Sequence, residues 1–333
     1  MKKITALLLA LLMLVGILAG CGKQNDTNKT DKLSIVTTIF PEYDWVREIL
    51  GDKADNAEIT LLLDNRVDLH SYQPTADDIV KISDCDLFIY VGGESDDWVN
   101  EALKNASNKD IRVIPLLDVL KDTIKTEEAV PGMQVEEGHE HEDEQEHEDE
   151  HKHEGEKDEH VWLSLKNAGI LIRVISKSLQ EMDPDNKDTY ADNSDAYVKK
   201  LSALDADYQA AVDGAARKTV LFGDRFPFRY LVDDYGLSYY AAFAGCSAES
   251  EASFETISFL ARKVDELKLP CVLTIEGRNH QIAETIVANT TAKNQKVLTM
   301  DSMQSTTSKD VKNGTTYLSV MEKNLSVLKE ALD

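Results

Sequence analysis

Residues 33–39 read LSIVTTI, a short run of apolar and β-branched side chains that is typical of a buried β-strand. Three similar runs follow before residue 117, and a second series of four begins after residue 215. The segments between the runs, such as 43–50 and 97–105, carry apolar residues at helical spacing. Strands that alternate with helices form parallel sheets covered on both faces, so we predict an α/β fold. The predicted strands are 33–39, 58–63, 87–91, 112–116, 219–222, 238–243, 271–275 and 296–300.

The two series of strands predict two lobes, each a parallel sheet flanked by helices, over 33–165 and 216–333. The linking segment 166–215 is almost wholly helical in pattern, with one break at Asp183-Pro184-Asp185. A helix of roughly 20 residues beginning at Asn186 spans about 30 Å at about 1.5 Å per residue. We therefore expect a long, rigid backbone helix that joins the lobes, with a cleft between them.

The N-terminus has the features of an export signal. A basic start at 1–3 precedes an apolar run over 4–19 that is too short for a comfortable membrane span. The run ends Leu-Ala-Gly-Cys at Cys21, which resembles the lipobox of bacterial lipoproteins. The resemblance implies a signal peptide over 1–20, acylation of Cys21, and a polar tether over 21–32. We therefore expect an extracytoplasmic protein that is anchored to the bacterial cell membrane by lipid.

Histidine and acid dominate one segment, residues 136–160, which we call the His/acid tract. It contains no apolar side chain, so it should be a solvated loop. Neutral imidazoles and carboxylates are ligands that divalent ions such as Zn(II) accept readily. The tract therefore predicts metal capture. Its six histidines are His139, His141, His147, His151, His153 and His160.

Charge and cysteine content narrow the functional classes. The formal net charge is −25, which argues against nucleic-acid binding, and residues 136–159 contribute −12 of it, from 14 acids and 2 lysines. The cysteines show no CxxC spacing, so the metal chemistry is expected from histidine and carboxylate. Three cysteines remain when the lipidated Cys21 is set aside, so at most one internal disulfide can form. The cysteines beyond Cys21 are Cys85, Cys246 and Cys271.

One histidine follows a predicted strand, and another directly precedes an apolar segment. Open parallel sheets bind at the carboxyl ends of their strands, and His70 follows the second predicted strand, before a helix that opens at Pro74-Thr75. His160 is the last residue of the His/acid tract and directly precedes the apolar segment 161–165. It is therefore the only member of the tract that is anchored against a folded core.

Four segments together resemble the substrate-binding lipoproteins of bacterial zinc and manganese ABC importers. They read TTIFPEY at 37–43, HSYQPT at 70–75, DLFIYVGG at 86–93 and EHVWLS at 159–164. The histidine-acid insertion marks the zinc-type branch of that family. The resemblance implies two α/β lobes joined by a long helix, a metal in the cleft, and His70 and His160 as two of its ligands.

The third ligand position departs from the family pattern. Counting back from Tyr-Gly-Leu at 235–237 places Arg225 where family members carry a histidine or glutamate, and a guanidinium has no lone pair to offer a cation. We consider four replacements and expect Arg225 to pair with Glu276 or Asp301 and hold that carboxylate in place. The replacements are the neighbouring Asp224, and Glu276, His280 and Asp301, which follow later strands of the second lobe.

The leading hypothesis is a high-affinity Zn(II) receptor, a monomer that delivers its ion to an ABC permease and is not an enzyme. The rest of the His/acid tract would act as a weak collector of metal ions near the cleft. A manganese-binding member of the same family is one alternative. A lipid-anchored zinc hydrolase or an adhesin is another. An HExxH match at 147–151 supports the hydrolase only weakly, because a tract of histidine and glutamate produces it by chance.

Overall fold

The computed structural model describes residues 32–134, 156–247, 251–277 and 279–333, and the chain from Leu33 to Asp333 forms one compact unit. Its first sheet has the strand order β2-β1-β3-β4, with every pair parallel. The elements of this lobe are β1 (Leu33–Thr37), α1 (Phe40–Leu50), β2 (Ala57–Leu61), α2 (Ala76–Asp84), β3 (Leu87–Tyr90), α3 (Val99–Lys104), β4 (Arg112–Pro115) and α4 (Leu116–Val119).

Two helices follow the first sheet. Helix α5 (Leu165–Met182) ends before a 3-10 turn over Pro184–Asn186, and α6 (Lys187–Gly214) runs for 28 residues. That length corresponds to about 42 Å at about 1.5 Å per residue. Helix α6 packs against α5, α1 and the C-terminal helix. The predicted long helix between the lobes is therefore present, and the predicted break at Asp183–Asp185 is in place.

The second sheet repeats the design of the first, with the order β6-β5-β7-β8 and parallel pairing throughout. All eight predicted strands exist, and the fold class is confirmed. The elements are β5 (Thr219–Phe226), α7 (Arg229–Tyr235), β6 (Ser238–Ala244), α8 (Phe254–Leu267), β7 (Cys271–Ile275), α9 (Gln281–Asn289), β8 (Lys296–Met300), α10 (Ser308–Lys312) and α11 (Tyr317–Leu332).

The largest error in the predicted strand boundaries is at the end of β5. Strand β5 does not end at Phe222 but continues to Phe226, past a register irregularity between Phe222 and Arg225. The Gly-Asp-Arg segment reads as a turn in the sequence because Gly and Asp are turn residues. In the structure it stays in the sheet, since Arg225 and Phe226 still pair with β6. Arg225 is therefore held on a strand.

The lobes share a hydrophobic core, whose buried residues come from both sheets and from α5, α6 and α11, and a second, smaller cluster lies within the second lobe. Trp162 lies fully buried at the junction. Its indole N–H donates to the carbonyl of Ser302 at 2.9 Å, and its own carbonyl accepts from the Tyr317 hydroxyl at 2.6 Å. These bonds tie the segment after His160 to the second lobe. Among the described residues, no helix is long and apolar enough to cross a membrane.

Candidate metal centre

His70 is held by the turn that leaves β2. It lies in a 3-10 turn over Leu69–Ser71, and the Asp68 side chain caps this turn by accepting from the His70 backbone N–H at 3.0 Å. The following helix α2 begins with a capping box in which Thr75 and Asp78 bond each other. The HSYQPT segment is therefore a rigid bridge from β2 to α2, with His70 at its start.

His160 is fixed from both sides. Its backbone N–H and its ring Nδ1 both meet Asp158 Oδ1, at 2.9 and 3.1 Å. A 3-10 turn follows over Val161–Leu163, and Ser164 then caps α5 by accepting from the Asn167 N–H at 3.1 Å. The His160 side chain is completely buried. The EHVWLS segment thus presents one imidazole edge inward and leaves it little freedom.

The two imidazoles meet although they lie 90 residues apart in the chain. His70 Nε2 and His160 Nε2 are 3.2 Å from each other. Ser95 Oγ lies 2.8 Å from His70 Nδ1, and Glu159 Oε2 lies 3.5 Å from it. We assign the Nδ1 protons from these oxygen partners, which leaves an Nε2 lone pair on each ring available at the contact. Two ligands about 2.0–2.1 Å from a tetrahedral zinc ion are about 3.3 Å apart, so the separation fits a shared cation.

The electrostatic surroundings keep one ring neutral. Burial and the neighbouring His160 lower the pKa of His70 to about 3. For His160, burial alone would lower the pKa, but the carboxylates of Asp158, Asp68 and Glu159 outweigh it and raise the pKa. At neutral pH His70 therefore offers a free lone pair, and His160 sits in a negative field that favours a proton or a metal cation beside it.

A third donor, which the sequence analysis did not propose as a ligand, completes the group. The ligand atoms of His70, His160 and Cys246 all lie within 4.8 Å of one another, and among the described residues only these three form such a set. Cys246 follows β6 at the carboxyl edge of the second sheet. The same edge rule that selected His70 would have selected it, but no Cys-type motif drew attention to it. Its thiol is free, as are those of Cys85 and Cys271, so these three form no disulfide.

A glycine lets the Cys246 loop approach His160. A Cβ on Gly245 would lie 3.0 Å from His160 Cε1 and 2.9 Å from the Phe226 carbonyl oxygen. Such contacts are too close for a side chain without displacement of its neighbours. The segment therefore packs directly on the imidazole ring because it carries glycine at that position.

Arg225 does not pair as predicted. Its guanidinium forms an ion pair with Asp68 at 2.7 Å, and not with Glu276 or Asp301. The two oxygens of the Asp68 carboxylate have different partners. Oδ1 caps the turn that contains His70 by accepting from the His70 backbone N–H, and Oδ2 accepts from Arg225 in the opposite lobe. Asp224 points into its own lobe, where it accepts from the Thr274 hydroxyl at 2.6 Å.

The other predicted ligands lie outside the group of three. Glu276 accepts from the Ser302 N–H at 2.7 Å, from the Ser302 hydroxyl at 2.8 Å and from the Gln304 N–H at 3.0 Å. Its burial and the nearby Asp301 raise its pKa to about 7. His280 Nδ1 lies 3.1 Å from the Thr274 hydroxyl. The assignment of Glu276, His280 and Asp301 as ligands stays a prediction.

A cavity of about 690 Å³ lies between the lobes. Asp68 lines it from the first lobe, and Arg225, Glu276 and Asp301 line it from the second. The carboxylates therefore line this cavity, whereas the two imidazoles meet in the buried part of the cleft. The remaining histidines of the His/acid tract lie outside the described residues; they are His139, His141, His147, His151 and His153.

Residues 35–331 match the family model described as zinc-uptake complex component A, periplasmic. The zinc-binding lipoprotein AdcA of Streptococcus pneumoniae is 34% identical over 335 residues, which cover all of this chain and 62% of AdcA. The high-affinity zinc uptake system protein ZnuA of Bacillus subtilis is 31% identical and is matched over 95% of this chain and 94% of its own length.

Solved structures agree with the sequence relatives. The Zn(II)-bound ZnuA-like domain of S. pneumoniae AdcA superposes with a TM-score of 0.68 at 30% identity, covering 91% of this chain and 99% of that domain. The metal-dependent lipoprotein YcdH of B. subtilis gives a TM-score of 0.69 at 26% identity, covering 91% of this chain and all of YcdH. In sequence, the chain spans less than two thirds of full-length pneumococcal AdcA.

Proposed function

We propose that this chain, which belongs to the zinc-uptake complex component A family, captures Zn(II) outside the cell and delivers it to the permease of an ABC importer. The family consists of uptake components, so the expectation that the chain is not an enzyme is confirmed. The observation that carries the proposal is the convergence of His70 Nε2 and His160 Nε2 at 3.2 Å, each ring held through its Nδ1 by an oxygen partner.

The donor set supports zinc as the captured ion. Imidazole nitrogen and sulfur suit a borderline ion such as Zn(II), whereas Mn(II) prefers carboxylate and water oxygens. The carboxylates of Glu276 and Asp301, which would suit manganese, lie outside the group that contains the imidazoles. Relatives named for zinc binding point the same way.

The cellular setting follows from the N-terminus and the relatives. We infer a signal peptide over 1–20 and a lipid anchor on Cys21, which lie outside the described residues, and AdcA is likewise named a lipoprotein. A monomer on this tether would carry lobes over 33–165 and 216–333. The His/acid tract would collect ions weakly and raise their concentration at the cleft mouth.

A competition titration against a chromophoric zinc chelator tests the binding step. The chain is produced from Gly22 onward, which retains the whole compact unit. Wild type should bind one ion tightly, and His70→Ala and His160→Ala should each abolish that tight site. His280→Ala, a matched histidine outside the group of three, should leave the affinity unchanged. Retention of the tight site in His70→Ala and His160→Ala would refute the assignment.

Growth under zinc limitation tests delivery. A strain that lacks this gene should fail to grow in chelator-treated medium at a zinc concentration that supports the parent strain. The wild-type gene should restore growth, and the His160→Ala gene should not. Equal growth of the deletion strain and its parent would contradict a role in zinc import.

A further inference from the structure

We propose that the thiolate of Cys246 is the third protein ligand of the ion held by His70 and His160. This inference rests on the function proposed above and deepens it, because it gives the site a sulfur donor. Arg225, which stands at the expected third position, has no lone pair for a cation. Cys246 is the remaining metal-binding side chain whose ligand atom lies within 4.8 Å of both imidazoles in the described part of the chain.

The distances leave only a small movement to complete the site. In a tetrahedral zinc site with Zn–S of about 2.3 Å and Zn–N of about 2.0–2.1 Å, sulfur and nitrogen ligands lie about 3.5 Å apart. The sulfur atom of Cys246 is at most 4.8 Å from either imidazole nitrogen of the group. A shift of about 1 Å, within reach of a side-chain rotation or slight lobe closure, brings all three into bonding distance of one ion.

The loop that carries Cys246 is positioned by contacts on each side. The Cys246 backbone N–H donates to Glu127 Oε1 at 2.8 Å. The preceding Gly245 packs on the His160 ring, as described above. Side chains from the first lobe therefore hold the loop at the site, although Cys246 itself belongs to the second lobe.

Arg225 reaches both of the segments that carry the ligands. One guanidinium nitrogen contacts Asp68, two residues before His70, at 2.7 Å. The other approaches the carbonyl of Ser247, the residue after Cys246, at 3.5 Å. Arg225 thus acts as a positioning residue that draws the Cys246 loop and the His70 turn together.

A thiolate ligand has a chemical consequence for the ion that binds. On coordination the S–H bond breaks, the sulfur–metal bond forms, and one proton per ion leaves to solvent. Sulfur strengthens the preference for Zn(II) over Mn(II), because manganese is served by oxygen ligands. Cys246 is therefore a specificity-determining residue in addition to a ligand.

The absorption spectrum of bound Co(II) reports directly on a thiolate ligand. A purely structural role of Cys246 would not produce the same spectrum. Loaded with Co(II), the wild-type chain from Gly22 onward should show a thiolate-to-cobalt charge-transfer band in the near ultraviolet. Cys246→Ser should lose this band, and Cys271→Ser, a matched change at another free cysteine, should keep it. Cys246→Ser should also weaken Zn(II) binding by at least about 100-fold, the upper end of the loss seen when an outer partner of a ligand is removed.

The outcomes separate this inference from the function on which it rests. If the wild type lacks the charge-transfer band, or if Cys246→Ser binds Zn(II) as the wild type does while His160→Ala does not, the thiolate ligand is refuted and the zinc function stands. If the wild type binds no zinc, both fail.

If Cys246→Ser does not fold, the rate of thiol alkylation in the wild-type chain provides a second test of the thiolate ligand. Cys246 is half-buried, whereas Cys85 and Cys271 are buried, so iodoacetamide should reach Cys246 in the metal-free wild type, although slowly because burial and Glu127 raise the pKa of its thiol. Saturating Zn(II) should slow that modification at least tenfold. Modification of Cys246 at an unchanged rate in the zinc-saturated chain would overturn the proposal.

Discussion

Replacement of Asp158 by asparagine should weaken zinc binding without unfolding the chain. The side chain accepts from His160 twice, through the backbone N–H at 2.9 Å and through Nδ1 at 3.1 Å. Asparagine has the same shape, and the backbone N–H and carbonyl of residue 158 keep their bonds to Lys125 and Tyr230. The change therefore removes a negative charge and the preference for one imidazole orientation, and little else.

Two magnitudes bound the expected loss. The hydrogen bond of 3.1 Å, the imidazole ring and a Zn–N bond of about 2.0 Å together separate the carboxylate oxygen from the ion by about 7 Å. At that distance the attraction between the carboxylate and Zn(II) is about 5 kcal/mol at an effective dielectric constant of about 20. That is an upper limit, because the carboxylate also costs desolvation energy in the metal-free chain. Measured losses of such outer partners are about 10–100-fold in metal affinity, or about 1.4–2.8 kcal/mol. We expect Asp158→Asn to fall in this range.

The assay is a zinc competition titration of Asp158→Asn beside Asp110→Asn, a control at an exposed surface acid. Asp110→Asn should bind zinc as the wild type does. An Asp158→Asn affinity within about twofold of the wild type would refute the reasoning that the carboxylate orients His160 and stabilises the bound ion.

Three further predictions concern the surroundings of the cleft. Tyr317→Phe should lower the free energy of unfolding by about 1–3 kcal/mol in urea denaturation, because it leaves the buried carbonyl of Trp162 without its hydroxyl donor. Gly245→Ala should cost about 1–3 kcal/mol and also weaken zinc binding, since the added methyl group collides with His160. Burial raises the pKa of Glu42 to about 8, above its unfolded value of 4.5, so the folded state holds the proton. Between about pH 4.5 and 8, the unfolding free energy of the wild type should therefore fall by up to about 1.4 kcal/mol per pH unit relative to Glu42→Gln.

Each of these has a control or a contrary outcome. Tyr43→Phe, at a partly exposed tyrosine on α1, should cost little, and an equal loss for both tyrosines would contradict the bridging role of Tyr317. A Gly245→Ala chain with wild-type stability and affinity would mean that the loop is not packed as described. Parallel pH profiles for the wild type and Glu42→Gln would show that Glu42 is ionised in the folded chain.

Most of the fold was predictable because buried parallel strands are nearly continuous apolar runs. The segments around 35, 89 and 273 are of this kind, and their strands were predicted within a few residues. The end of β5 was not, because Gly223 and Asp224 read as a turn and only the pairing of the residues on either side of them, Phe222 and Arg225, with β6 continues the strand. Local sequence does not contain that pairing.

The candidate site was only partly predictable, for a related reason. His70 and His160 follow from motifs whose local geometry is encoded nearby, through the capping residues Asp68 and Ser164. Cys246 belongs to no spacing motif, and its approach to the imidazoles depends on how the two lobes close. Long-range contacts of this kind, like the ion pair between Arg225 and Asp68, are set by the packing of whole elements.

Anomalous diffraction at the zinc absorption edge, from crystals of the zinc-loaded chain, tests most directly whether His70 and His160 hold one ion between them. We predict one strong peak about 2.0–2.1 Å from each Nε2 atom and about 2.3 Å from the sulfur of Cys246. A principal peak among the carboxylates of Glu276 and Asp301, with none between the two imidazoles, would contradict the proposed site.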